Sequence, residues 1–162
     1  MATLIGFKAD QVDTALTSGK TFSPGDRAED YNGKQYIYVK ASAAVSQYDV
    51  VTFDETYLTT VAPLSASNDA RGDKVGVAPV DIASGSYGWL QIYGPCSFKV
   101  ASACAANAEL TTTTSATAGA LDDATTASLI VVDGIFVTTA NTASAVASAA
   151  GILNYPQVGR TL

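Results

Sequence analysis

The chain has 162 residues, 48% hydrophobic and only 15% charged, so it can bury a core and is not disordered by composition. Nine Lys and Arg against 15 Asp and Glu give a net charge of −6, which argues against nucleic acid and anionic membranes as partners. The chain contains no histidine, so the commonest general base and the commonest metal ligand are missing. The N-terminus lacks the pattern of a secretion signal, and no apolar run approaches the roughly 20 residues of a membrane span. We therefore expect a protein made and folded in the cytoplasm.

Residues 1–29 are predicted to form an N-terminal arm, followed by a single domain over residues 30–162. The arm is mostly polar, and a Pro-Gly turn signal stands near its end. Two interpretations remain open for it. It is either a loosely ordered terminus or an extended arm that docks on a partner. The docking interpretation assigns the contact to its large apolar side chains, Leu4, Ile5, Phe7 and Phe22.

The clearest strand pattern covers residues 34–41 and alternates between two faces. One face carries Tyr36 and Tyr38, and the other carries small and aliphatic residues. Further strands are predicted at 49–54 and 56–64, followed by a loop at 65–73. The loop ends in Arg-Gly-Asp, a tripeptide that integrins bind in extracellular ligands, but three residues recur by chance and we do not assign adhesion to them.

Residues 74–100 are predicted to form a three-stranded meander at the centre of the fold. Its strands are 74–78, 89–93 and 96–100, separated by a turn at 82–88 and by a Gly-Pro pair. Trp89 and Tyr93 alternate with aliphatic residues on the second strand. These two aromatics, together with Tyr36 and Tyr38, either anchor subunit contacts or line the core.

The last third of the chain adds more short strands. We predict one at 109–114 and a hairpin formed by 129–132 and 135–138 around Asp133-Gly134. Residues 139–151 are expected to form a loop or short helix, and 152–158 an edge strand, because Pro156 is barred from a central strand. Many short strands without a long amphipathic helix predict an all-β fold, a small antiparallel β-barrel or sandwich with an extended N-terminal arm.

The sequence offers few groups for chemistry. Cys96 and Cys104 are expected to be two small buried thiols rather than a disulfide, because no cysteine framework is visible. The acidic pairs at 54–55 and 122–123 are interpreted as solvated turn residues, since neighbours in a strand point to opposite faces. No catalytic, cofactor or metal site is predicted, which leaves a structural or binding protein.

Small-residue strand and turn patterns recur in seven segments, at residues 33–44, 48–54, 75–78, 82–85, 88–94, 116–122 and 154–158. Together these segments resemble the head decoration proteins, or capsid cement proteins, of tailed bacteriophages. The likeness runs from about Gly25 to the C-terminus, whereas the segment before Phe22 departs from it.

The resemblance implies a non-enzymatic protein on the outer capsid surface of a virion, synthesised in the host cytoplasm. It implies the major capsid protein as partner and a homo-oligomer, with a trimer favoured over a dimer. Such proteins brace the expanded head against the pressure of the packaged DNA. The alternative is a receptor-binding or carbohydrate-binding module on a virion, in which Trp89 and the tyrosines stack on sugar rings. A weaker alternative is an enzyme of a type that the sequence does not reveal.

Overall fold

The structure is a computed structural model that describes residues 6–14, 22–61, 71–113 and 117–162. Every regular element in these ranges is a β-strand, which confirms the predicted all-β class. The strands are β1 (Val12–Asp13), β2 (Arg27–Glu29), β3 (Gln35–Ala41), β4 (Val50–Phe53), β5 (Leu58–Val61), β6 (Lys74–Val77), β7 (Tyr87–Val100), β8 (Thr111–Thr112), β9 (Leu121–Asp122), β10 (Ile130–Val137) and β11 (Ala147–Thr161).

Strand β7 is the centre of the molecule because it belongs to two closed rings of hydrogen-bonded strands. The first ring runs β7–β3–β5–β4–β6 and returns to β7. The second runs β7–β9–β8–β10–β11 and also returns to β7. Closure removes most of the free strand edges, which would otherwise be open to pairing with other chains. Strands β6 and β11 also pair with each other, so the two rings are joined beyond the shared strand.

The predicted three-stranded meander is wrong. Residues 87–100 form one strand that continues through Gly94 and Pro95, and β6 pairs with it only between Val77 and Gln91. The continuity comes from β11, which pairs with β7 from Val100 back to Tyr93. At Pro95, β7 pairs with β11 alone among the described strands, so no hydrogen bond on its other side is lost because proline lacks an amide hydrogen.

The hairpin predicted around Asp133-Gly134 is also wrong. Strand β10 passes straight through both residues, and its partner β11 is far longer than the edge strand expected there. The register jumps from Asp133 opposite Gln157 to Ile135 opposite Leu153, so residues 154–156 face the single Gly134. This β-bulge tolerates a proline inside a strand that is paired on both sides, because the bulged residues need no ladder partner. Gly134 has φ of 79°, and a Cβ there would lie 2.7 Å from the Asn154 carbonyl oxygen.

Alternation on β3 separates two apolar clusters, as the sequence predicts. Ile37 and Val39 pack inside the first ring with side chains of β4, β7 and the flanking loops. Tyr36 and Tyr38 lie on the outer face of the same ring, in an aromatic cluster. The second ring encloses a separate cluster, to which β6 also contributes. That cluster consists of Val50, Val75, Val77, Phe98, Val100, Cys104, Leu110, Leu121, Ile130, Val132, Ile135, Val137, Ala149, Leu153 and Val158.

The described residues of the predicted arm pack against the first ring. Val12 and Asp13 pair with the start of β7 as β1, and β2 pairs with β3. Phe7 and Phe22 cover the aromatic cluster from outside. Leu4 and Ile5 lie outside the described residues, and the division into an arm and a domain stays a prediction.

Candidate functional site

An exposed apolar face lies on the outer side of the second ring, where β10, β11 and β7 run side by side. Phe136 lies opposite Ile152, and Ile152 lies opposite Pro95, so the three side chains form a row across the three strands. Directly opposed residues in antiparallel strands are neighbours at about 5 Å. Phe136 is 51% exposed and Ile152 45% exposed, although both are large and apolar.

Two stacked tyrosines extend this row at the bulge of β11. The rings of Tyr93 and Tyr155 are 5.2 Å apart and inclined by 29°. The Tyr155 hydroxyl donates a hydrogen bond to Gln35 Oε1 at 2.6 Å, which fixes the outer ring. We call Tyr93, Pro95, Phe136, Ile152 and Tyr155 the apolar face.

The exposed positions beside the central row of the apolar face on β7 and β11 are small or neutral, namely Ser97, Ala150 and Asn154. On β10, Asp133 is exposed and charged. Contiguous exposed apolar surface of this kind marks protein interaction sites more often than a single exposed side chain does. Aromatic residues also dominate the binding energy of many interfaces. The geometry therefore offers an exposed apolar surface for a protein partner.

Of the predicted contact residues that the structure describes, Tyr93 is the one that belongs to this face. Tyr36, Tyr38 and Trp89 are buried in the aromatic cluster of the first ring. A partner would have to displace the N-terminal residues of the chain itself to reach them. The residues Phe136, Ile152 and Tyr155 were not predicted. The pairing of β10 with β11 that brings them together is not visible in the local sequence.

The aromatic cluster is closely packed. Phe7 and Phe22 meet the Trp89 ring edge to face at 4.8 and 5.0 Å, and Tyr38 lies 5.0 Å from it. The Tyr38 hydroxyl donates to the Asp13 carboxylate, which ties β1 to β3. Burial, with the neighbouring Asp13, raises the pKa of Tyr38 well above its ordinary range, so the hydroxyl stays a donor. Pairs of this geometry add about 0.5–1.5 kcal/mol each beyond their burial.

Both cysteines are free thiols, as the sequence predicts. Burial raises the pKa of Cys104 to about 11, and the negative charges of Asp123 and Asp122 raise it in the same direction. Burial also raises the pKa of Cys96 to about 12. A thiol with such a pKa is protonated at neutral pH, and the protonated form is a poor nucleophile and a poor metal ligand.

The two neighbouring aspartates converge, contrary to the expectation that they point apart. The ligand atoms of Cys104, Asp122 and Asp123 lie within 4.8 Å of one another. Strand β9 ends at Asp122, and the Asp123 amide donates to Asp122 Oδ1 at 2.9 Å, so the strand alternation no longer applies there. Asp123 Oδ2 also accepts from the Ala105 amide at 3.0 Å. The set supplies three donors of the four that a structural zinc site uses, and one of them is a protonated thiol.

The Arg-Gly-Asp tripeptide is held to β11 by two backbone hydrogen bonds. The Gly72 amide donates to the Val158 carbonyl at 2.9 Å, and the Val158 amide donates to the Asp73 carbonyl at 2.8 Å. The tripeptide thus leads into β6, and it borders a pocket of about 660 Å³ at one end of the first ring.

Within the described residues, no helix is long and apolar enough to cross a membrane. No protein-family model matches the chain, and a search of curated proteins returned no match.

Proposed function

We propose that this protein is a non-enzymatic structural component of a tailed-phage virion that binds the outer surface of the capsid and stabilises the shell. The observation that carries the proposal is the apolar face, an exposed apolar surface on the outside of a closed β-fold. The resemblance to head decoration proteins and the absence of histidine point the same way. A net charge of −6 keeps such a protein from adhering to packaged DNA.

The major capsid protein is the partner in this proposal, and the apolar face is the contact surface. The Tyr93–Tyr155 pair is already held by ring stacking and by the hydrogen bond to Gln35, so little side-chain entropy is lost there on binding. Phe136 and Ile152 add two large, exposed apolar side chains. A module that touches two neighbouring capsid subunits holds them together, and linked copies gain from effective concentration. Self-association, as a trimer rather than a dimer, is part of the same proposal and is measured by analytical ultracentrifugation.

The test is binding to expanded capsids prepared without this protein. We expect the wild-type chain to co-sediment with these capsids at high copy number. The double variant Phe136→Ser, Ile152→Ser should bind about tenfold more weakly or worse, because both anchors of the central row are removed. Tyr31→Ser is the matched control, since Tyr31 is 97% exposed and lies outside the apolar face.

Two results would overturn the proposal. The first is unchanged capsid binding by the double variant, measured with a sample whose thermal unfolding matches that of the wild type. The second is a wild-type protein that is present at only a few copies per virion, because shell stabilisation requires many copies.

A further inference from the structure

The pocket at the end of the first ring is separate from the central row of the apolar face and has the construction of a small-molecule site. Its lining includes Ile37, Phe53 and Ile92, which are buried side chains of the first ring's core, and it also includes Val75 of β6. Its volume of about 660 Å³ falls within the range of roughly 300–1,000 Å³ that is usual for ligand sites. Mouths of β-barrels are one of the places where such sites occur.

Two tyrosines form walls of this pocket, and both have an unusual backbone conformation. Tyr57 has φ of 60° and Tyr155 has φ of 49°. A bulky residue seldom adopts the left-handed region, and such residues cluster at binding sites. Both rings are held in place. Tyr57 stacks on Phe53 at 6.3 Å, and the Tyr155 hydroxyl donates to Gln35.

The rim of the pocket carries charges of both signs, and some of them are already engaged. Asp54 Oδ1 accepts from the Thr56 hydroxyl at 2.7 Å and from the Thr56 and Leu58 amides at 2.8 and 3.0 Å. Lys74 Nζ donates to Gln157 Oε1 at 3.1 Å. Among the described residues, the side chains of Arg27, Glu55 and Asp73 have no hydrogen-bond or ion-pair partner, although they line the pocket.

We propose that this pocket binds a neutral saccharide. A sugar ring has an apolar face that fits against a tyrosine ring and hydroxyl groups that both donate and accept hydrogen bonds. The free carboxylates of Glu55 and Asp73 accept from hydroxyls, and the Arg27 guanidinium donates to them. A polyanionic ligand would meet the carboxylates and a polycationic ligand the guanidinium, so the mixed rim favours an uncharged molecule.

The first step of the test is an array of neutral, sialylated and phosphorylated glycans probed with the labelled full-length chain. We expect binding to neutral glycans. The strongest of them is then titrated into ¹⁵N-labelled protein, where the amides of Glu55, Gly72 and Asp73 should shift. Tyr155→Ala and the double variant Arg27→Ala, Glu55→Ala should each weaken binding about tenfold. Tyr155→Phe should bind nearly as well as the wild type, because it keeps the ring.

Ile152→Ser is the control for this site, since Ile152 lies on the apolar face and does not line the pocket. It should weaken capsid binding and leave saccharide binding unchanged, so the two proposals fail independently. Arg27 and Glu55 are exposed, so their double variant should fold even if Tyr155→Ala does not. No neutral glycan bound on the array, binding confined to anionic glycans, or undiminished affinity in the double variant would each overturn the assignment.

Discussion

At the scale of single residues, the convergence of Asp122 with Asp123 has a consequence for stability. Burial raises the pKa of Asp122, and the neighbouring Asp123 raises it further by hydrogen bonding and like charge, while the Asp123 backbone amide opposes the shift. A carboxyl whose pKa is higher in the folded state binds its proton more tightly there than in the unfolded chain. The resulting penalty is absent below the unfolded pKa of about 4 and fully present above the folded pKa. Stability should therefore fall as pH rises through this window.

Asp122→Asn should remove this penalty and stabilise the protein at pH 7. The asparagine oxygen can still accept the hydrogen bond from the Asp123 amide. Urea unfolding at a series of pH values from 3 to 7 measures the effect, and the gain should shrink toward the acidic end. Asp10→Asn, at an exposed position, is the control and should change stability by less than about 0.5 kcal/mol. A variant less stable than the wild type at pH 7 would contradict a raised pKa of Asp122 in the folded state.

The assignment of single side chains succeeded where it depended on local alternation. The two faces of β3 follow from the strand period of two, which needs no knowledge of distant residues. It did not succeed where a strand ends, as at Asp122, because alternation applies only within the strand. The free state of Cys96 and Cys104 was predictable from the absence of any cysteine framework, but only Cys104 is buried, whereas Cys96 is half-buried.

At the scale of elements, most of the longer strands were predictable, whereas the short strands β1, β2 and β9, the start of β11 within a predicted loop or helix, and the strand pairing were not. An Asp-Gly pair between two apolar runs is the signal of a hairpin, but the same pair also suits a bulge, where one glycine faces several residues of the partner. Whether the Asp-Gly pair forms a hairpin or faces a bulge is decided by the pairing of β11 with β10 and β7. That pairing joins residues far apart in the sequence. The apolar face is formed by the same pairing. For that reason the sequence did not predict Phe136 and Ile152 as contact residues.

Phe7 and Phe22, from the described N-terminal residues, cover the outer face of the first ring, and this gives a prediction for Phe22. Phe22 is buried and meets the Trp89 ring at 5.0 Å. Phe22→Ala should lower the free energy of unfolding by about 3–5 kcal/mol, the usual loss for a buried phenylalanine. Trp89 is the only tryptophan and is fully buried, so its fluorescence emission should shift to longer wavelength in the variant.

Tyr31→Ala is the matched aromatic control for Phe22→Ala, because Tyr31 is exposed at the turn before β3. It should leave both the emission and the stability within the error of measurement. If Phe22→Ala behaved in the same way, Phe22 would not be packed on the ring. The interpretation of residues 1–29 as an arm that docks on a partner would then be favoured.

At the scale of the whole molecule, the two rings are expected to unfold together. They share β7, and further bonds cross between them. The Val50 amide donates to the Gly119 carbonyl at 2.8 Å, and Lys99 Nζ donates to Asp49 Oδ1 at 2.6 Å. Val75 and Val77 of the first ring also contribute to the core of the second. Neither ring can lose its strands without exposing apolar surface of the other.

Leu121→Ala tests this coupling from the second ring. Leu121 is fully buried there, so its truncation should lower stability by about 2–5 kcal/mol. Trp89 reports on the outer side of the first ring, whereas far-ultraviolet circular dichroism reports on all strands. If the rings form one cooperative unit, both probes should give the same urea midpoint in the wild type and the same lowered midpoint in the variant. The contrary result is a Trp89 midpoint at the wild-type value together with a lowered circular dichroism midpoint. In that case the rings unfold separately, and the shared strand β7 does not suffice to couple them.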